Sequence, residues 1–122
     1  MAKTILVVDD SESIREIVGF TLENEGFNVL FGENGQDALK HLNKEPIIDL
    51  IVTDLHMPVM NGIEFIKLVR NNREYKSVPI LFLTTESQTA KKMEAKEAGA
   101  TGWIIKPFVP AKLIEAINKV MR

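Results

Sequence analysis

The sequence predicts an α/β fold, a (βα)5 doubly wound parallel sheet, and two observations predict it. Short apolar runs alternate with segments of helical period from one end of the 122-residue chain to the other, five times over. The runs are apolar at successive positions, as in TILVV at 4–8 and PILFL at 79–83, which is the pattern of strands covered on both faces. Parallel neighbours need a crossover between them, and the intervening helices supply it.

Taken in order, Thr4 to Val8 is the first strand, closed by Asp9-Asp10. Ile14, Ile17, Val18 and Leu22 then fall on one helical face, with Ser11 or Ser13 as the cap and Gly26 at the end. Phe27 to Phe31 is the second strand, and Ala38, Leu39 and Leu42 mark a helix opening near Asn34-Gly35. The third strand runs from Asp49 to Thr53, followed by a loop from Asp54 to Asn61 and a helix carrying Phe65, Ile66 and Val69. Pro79 to Leu83 is the fourth strand. Glu86 to Ala98 is a polar helix with a thin apolar stripe of Ala90, Met93 and Ala98, ended by Gly99. Trp103 to Ile105 is a short fifth strand, and Leu113, Ile114, Ile117, Val120 and Met121 give the last helix after Pro110.

Bulk properties narrow the function. The length suits a single domain over residues 1–122 with one core. A net charge of −2 with 26% charged residues gives no electrostatic footprint for nucleic acid or an anionic membrane. With no cysteine, disulfides, thiol catalysis and cysteine-type zinc sites are excluded, and the two histidines, His41 and His56, are too far apart in sequence to suggest zinc. His41 reads as a solvated surface residue. No signal peptide and no apolar stretch of membrane-spanning length is present, so a cytoplasmic location is expected.

In open parallel sheets the ligand site lies beyond the carboxyl ends of the strands. Here Asp9 and Asp10 follow the first strand, Asp54 the third, Thr84-Thr85 the fourth and Lys106 the fifth. Singly, these are a cap or turn acid, a loop hydroxyl and a solvated lysine. If those strands are neighbours, however, the side chains converge on one crevice. Three clustered carboxylates repel unless a divalent cation is bound, and all-oxygen ligands suit Mg²⁺. An ammonium and a hydroxyl facing such a cluster are what a transferred phosphoryl group requires, which points to Asp54 as its acceptor.

VVDD at 7–10, TDLHMPVMNG at 53–62, FLTTES at 82–87 and GATGWIIKPF at 99–108 together resemble the receiver domains of two-component response regulators, in particular the stand-alone, CheY-like receivers of chemotaxis. The resemblance spans the whole chain. It implies the flavodoxin-like strand order 2-1-3-4-5, an order for which CheY-like proteins are themselves a standing example. It further implies that Asp54 is the phosphoacceptor, that Asp10 binds Mg²⁺ directly with Asp9 acting partly through water, and that the backbone carbonyl of His56 is a further ligand. Thr84 would be the switch hydroxyl, Lys106 the ammonium that pairs with the phosphoryl group, and Trp103 the switch aromatic. The implied partners are a sensor histidine kinase as phosphodonor, a phosphatase, and an output protein, such as the flagellar motor switch, on the surface of the fourth helix, fifth strand and fifth helix. A monomer without enzymatic turnover of its own is expected, as is the absence of an output domain, since Arg122 directly follows the last helix.

Several positions depart from the common pattern. Trp103 stands where most receivers carry Tyr or Phe, and it either switches or merely covers the sheet edge. His56 either tunes the access of water to the acyl phosphate, with a pH dependence, or is simply exposed. Glu86 either orients water or a phosphatase, or is a first-turn acid favoured by the helix dipole. A phosphorelay intermediate or phosphate sink would use the same chemistry. Two rivals use other chemistry. A haloacid-dehalogenase-type phosphohydrolase needs a second Asp two positions after its nucleophile, where His56 stands. A flavin or nucleotide binder needs a glycine-rich phosphate cradle, where this chain has the acidic loop DDSES.

Overall fold

The computed structural model describes residues 2–121; Met1 and Arg122, the two ends of the expected domain, lie outside the described residues. The elements follow the predicted alternation: β1 (Thr4–Val8), α1 (Glu12–Asn24), β2 (Asn28–Gly32), α2 (Gly35–Leu39), β3 (Leu50–Thr53), α3 (Gly62–Asn71), β4 (Ile80–Thr84), α4 (Thr89–Ala98), β5 (Gly102–Ile105) and α5 (Pro110–Val120). Short 3-10 turns at Lys40–Asn43 and Arg73–Tyr75 extend α2 and follow α3. The sheet is parallel throughout and ordered β2-β1-β3-β4-β5.

Successive strand residues face opposite sides, and this splits the core in two. Leu6 and Val8 of β1, Ile51 of β3 and Ile80 and Phe82 of β4 face a cluster with Ala38, Phe65, Ile66, Val69 and Ala95 from α2, α3 and α4. Ile5, Val7, Leu50, Val52, Leu81 and Leu83 face Val18, Leu22, Leu113 and Ile117 from α1 and α5. The three inner strands β1, β3 and β4 are fully buried, whereas the edges β2 and β5 are partly open.

Local chemistry sets the ends. Ser11, rather than Ser13, caps α1 by accepting from the Ile14 N–H, Asn34 caps α2 through the Asp37 N–H, and Asn61 forms a reciprocal capping box with Glu64 on α3. Strands β2, β3 and β4 each begin one residue later than the apolar runs suggest. The Phe27 N–H turns back to the Leu22 carbonyl, the Asp49 carboxylate accepts from the Thr4 N–H at 2.8 Å, and Pro79 has no N–H to donate.

Two faces differ from expectation. Ile17 is not a core residue but 51% exposed. Helix α1 is turned so that Gly19 meets the Phe31 ring of β2, where a Cβ would stand 2.5 Å from the ring edge, and this rotation carries Ile17 outwards. Helix α4 starts at Thr89, not Glu86, and buries only Ala95 completely; Ala90 and Met93 are exposed. Its two ends are held differently. At the carboxyl end Gly99 takes φ +118°, and the Arg70 guanidinium donates to the Gly99 carbonyl at 2.6 and 3.2 Å and to the Tyr75 carbonyl at 2.9 Å. At the amino end the Gln88 side chain gives no capping bond.

Gly62, at the start of α3, passes close under the end of β3. Its N–H donates to the Leu55 carbonyl at 2.7 Å, and a Cβ there would meet the Asp54 carbonyl oxygen and the Phe82 ring, each at 2.5 Å. Gly62→Ala is therefore expected to cost about 2 kcal/mol or more in urea unfolding, as overpacking against backbone does. Gly26→Ala, at φ +91° with nothing within 4 Å of the added carbon, should cost about 1 kcal/mol from backbone conformation alone. A smaller loss at position 62 than at 26 would show that the loop yields freely.

Candidate functional site

The register brings the strand-end residues together. Val8 pairs with Thr53, so Asp9 and Asp54 leave neighbouring strands at the same level, and Lys106 follows Ile105 where β5 ends beside Thr84. The ladder runs one step further through the Asp54 N–H to the Val8 carbonyl and the Lys106 N–H to the Thr84 carbonyl. Carboxylate oxygens of Asp9, Asp10 and Asp54 all lie within 4.8 Å of one another. Asp9 is 2% and Asp54 8% exposed, while Asp10 opens to solvent.

Each buried carboxylate divides its oxygens between backbone and ammonium. Asp54 Oδ1 accepts from the Leu55 and His56 N–H groups at 2.6 and 3.3 Å, and its Oδ2 accepts from Lys106 Nζ at 3.1 Å. Asp9 Oδ1 accepts from the Ser11 N–H at 2.9 Å, and its Oδ2 from the same Nζ at 2.7 Å. Burial raises the Asp9 pKa above the ordinary carboxylate range, with the Lys106 and Ser11 bonds opposing it and the Asp54 charge adding to it. Burial alone would lower the Lys106 pKa, but the Asp9 hydrogen bond and the two carboxylate charges outweigh it and raise the pKa. Three acids against one lysine leave the cluster short of positive charge, and its donors, all oxygen, fit a hard divalent cation such as Mg²⁺.

Beside this cluster lies a second network, centred on Glu86. The fully buried Thr84 hydroxyl accepts from the Glu86 N–H at 3.2 Å. The Glu86 carbonyl accepts from the Trp103 indole N–H at 3.0 Å. Its carboxylate accepts from the Gln88 N–H at 3.1 Å and meets His56 Nε2 at 2.9 Å, bridging the loops after β3 and β4. These contacts, the Gln88 bond foremost, hold the Glu86 carboxyl below its ordinary pKa. Glu86 is thus a loop residue rather than a first-turn helix acid. The His56 side chain, although 56% exposed, is held by it. Trp103 is half-buried, its ring 5.3 Å from Phe82 and 5.9 Å from Lys92 Nζ. His41, read as solvated, is half-buried, and its Nε2 lies 3.0 Å from the Phe31 carbonyl.

The loop from Asp54 to Asn61 also holds backbone strain. Val59 takes φ +73°, and the Met60 N–H bonds the Pro58 carbonyl at 2.8 Å, a tight three-residue turn that a β-branched residue adopts only at a cost.

The response regulator receiver domain matches residues 5–118. The chain belongs to that family. Among curated proteins, this receiver is 40% identical to a chemotaxis protein CheY homolog of Campylobacter jejuni, covering 96% of this chain and 91% of the relative. It is 39% identical to the phosphate regulon transcriptional regulatory protein PhoB of Klebsiella pneumoniae, over 100% of this chain but only 53% of that one. The solved structure of Vibrio cholerae chemotaxis protein CheY4 superposes with a TM-score of 0.94 at 45% identity, covering 98% of this receiver and 99% of that chain. Among the described residues, no helix is long and apolar enough to cross a membrane.

The site is a liability for the metal-free fold. Folded Asp9 binds its proton more tightly than the unfolded chain, whose reference pKa is 3.8, so through this group stability falls as pH rises from there through the raised folded value. At pH 7 without metal, Asp9→Asn is expected to resist urea better than the native receiver. The advantage should shrink at pH 3.5 and when Mg²⁺ is added. An Asp9→Asn protein that unfolds at lower urea at pH 7 would show that the Lys106 bond outweighs the buried charge.

Proposed function

We propose that this receiver accepts a phosphoryl group on Asp54 from the phosphohistidine of a sensor histidine kinase and signals by phosphorylation-dependent protein binding, as a stand-alone regulator of chemotaxis and flagellar motor control. The observation that carries the reading is Lys106 Nζ bridging Asp54 and Asp9, with Asp10 converging on the same point. A carboxylate oxygen of Asp54 attacks phosphorus, the P–N bond to the histidine breaks, and an acyl phosphate forms. The Leu55 and His56 N–H groups orient the nucleophile, and Lys106 neutralises charge beside it. Asp9, Asp10, Asp54 and the His56 carbonyl are the residues suited to hold Mg²⁺, which when bound would offset the charge on the phosphoryl oxygens.

Thr84 and Trp103 are suited to report the change, because both are bonded to the same residue. A Thr84 hydroxyl turned towards a phosphoryl oxygen gives up the Glu86 N–H, and the Glu86 carbonyl is the acceptor of the Trp103 indole. The output face is then α4, β5 and α5, with Trp103 and the cations Lys91, Lys92 and Lys112. The chemotaxis assignment is supported by the CheY-type relatives, which this chain covers almost end to end. The reading includes no turnover of an external substrate, a cytoplasmic setting and a monomeric resting state.

Intact-mass spectrometry after incubation with acetyl phosphate tests the chemistry. The native receiver should gain a single phosphoryl group only with Mg²⁺, and Asp54→Asn should gain none. An unchanged mass, or equal labelling of the variant, would refute the acceptor role. Under the same conditions Trp103 emission should change in the native protein and stay constant in Asp54→Asn. Sustained hydrolysis of a phosphomonoester would instead favour a phosphohydrolase.

A further inference from the structure

We propose that Arg15 is a positioning residue for Asp10, and through Asp10 for the divalent cation; the proposal rests on the receiver reading above. The three acids are not held alike. Asp9 and Asp54 are each fixed by backbone N–H groups and by Lys106, whereas the Asp10 carboxylate, among the described residues, has no side-chain hydrogen bond or ion pair. Its direction is therefore set by its own backbone. The peptide joining Asp9 to Asp10 lies just beyond the sheet: the Asp9 N–H still bonds the Gly32 carbonyl, but the ladder to β3 ends with the Asp54 N–H on the Val8 carbonyl. The next carbonyl, that of Asp9, accepts from Arg15 Nη1 at 2.6 Å.

Arg15 is well placed to clamp that peptide. Its own N–H bonds the Ser11 carbonyl in the first turn of α1, and its half-buried side chain reaches back over the turn Asp9-Asp10-Ser11. A charged donor on a carbonyl is a short, strong bond, and a fixed carbonyl prevents rotation of the peptide plane that aims Asp10. The Ser11 N–H on Asp9 Oδ1 closes the same turn from the other side. Loss of a residue that orients a metal ligand from behind commonly weakens metal binding by about ten- to a hundredfold.

The sign of the effect separates positioning from charge. Removing a cation near an acidic site by itself strengthens cation binding, whereas releasing Asp10 weakens it. Calorimetric titration of the native protein with Mg²⁺ is therefore compared with Arg15→Met, which keeps the stem of the side chain, with Arg15→Lys, which keeps a charged donor, and with Asp10→Asn. Arg15→Met is expected to weaken Mg²⁺ binding about tenfold, with Arg15→Lys recovering most of the loss. In the Asp10→Asn background the Arg15→Met change should add almost nothing, because the two act in series. Urea midpoints of the metal-free variants report whether the fold is retained; should Arg15→Met not fold, Arg15→Ala, which also removes the donor, is compared with and without Asp10→Asn and carries the same test. Unchanged or tighter Mg²⁺ binding by Arg15→Met, or an undiminished loss in the Asp10→Asn background, overturns the proposal. A native protein that takes up no Mg²⁺ at all overturns the receiver reading itself, and the proposal with it.

Discussion

Lys106 Nζ, shared between Asp9 and Asp54, is the contact on which the arrangement depends. Two buried carboxylates on neighbouring strands repel, and a third acid opens beside them. One ammonium, delivered by an edge strand from the far side of β4, offsets part of this repulsion and leaves the remainder uncompensated. The buried ion triad is thus poor ballast for the fold and good preparation for chemistry, since breaking or filling it changes the local charge at once. The flanking backbone N–H groups orient one oxygen on each carboxylate and leave the others facing the crevice.

The second organising residue is Glu86. Its N–H, carbonyl and carboxylate are spoken for by Thr84, Trp103, His56 and Gln88, so a single loop residue touches the strand-end hydroxyl, the edge-strand aromatic and the loop beyond Asp54. These hydrogen bonds connect the four partners through one residue, beside the packing of Trp103 on Phe82.

Much of this was legible in the sequence because strand ends are legible. Apolar runs end abruptly at Asp9, Asp54, Thr84 and Lys106, and a parallel sheet sends the carboxyl ends of its strands to one side, so the cluster could be assembled before any coordinate. What could not be read depended on tertiary context. Ile17 fits the apolar face of α1 by spacing, but the fit of Gly19 to Phe31, from a separate element, rotates that face. Glu86 lies in a stretch with helical composition, yet its bonds to His56 and Gln88 compete with helix formation, and α4 begins only at Thr89. The Arg15 contact with the Asp9 carbonyl left no signal in composition or spacing, because a surface arginine on a helix is ordinary.

The unequal fastening of the two ends of α4 has a mechanical consequence. With Gly99 tied to Arg70, and with the Gln88 end uncapped by its own side chain and held only through its N–H on the Glu86 carboxylate, the carboxyl end of the helix is the firmer of the two and the natural pivot for any tilt. Its ten residues make a lever of roughly 15 Å, so a tilt of about 10° sweeps the Thr89 end by roughly 2.5 Å and scarcely moves the pivot. Leverage of this kind would turn a displacement of the size of a hydrogen bond, next to Thr84, into a larger change of outline at the Thr89 end.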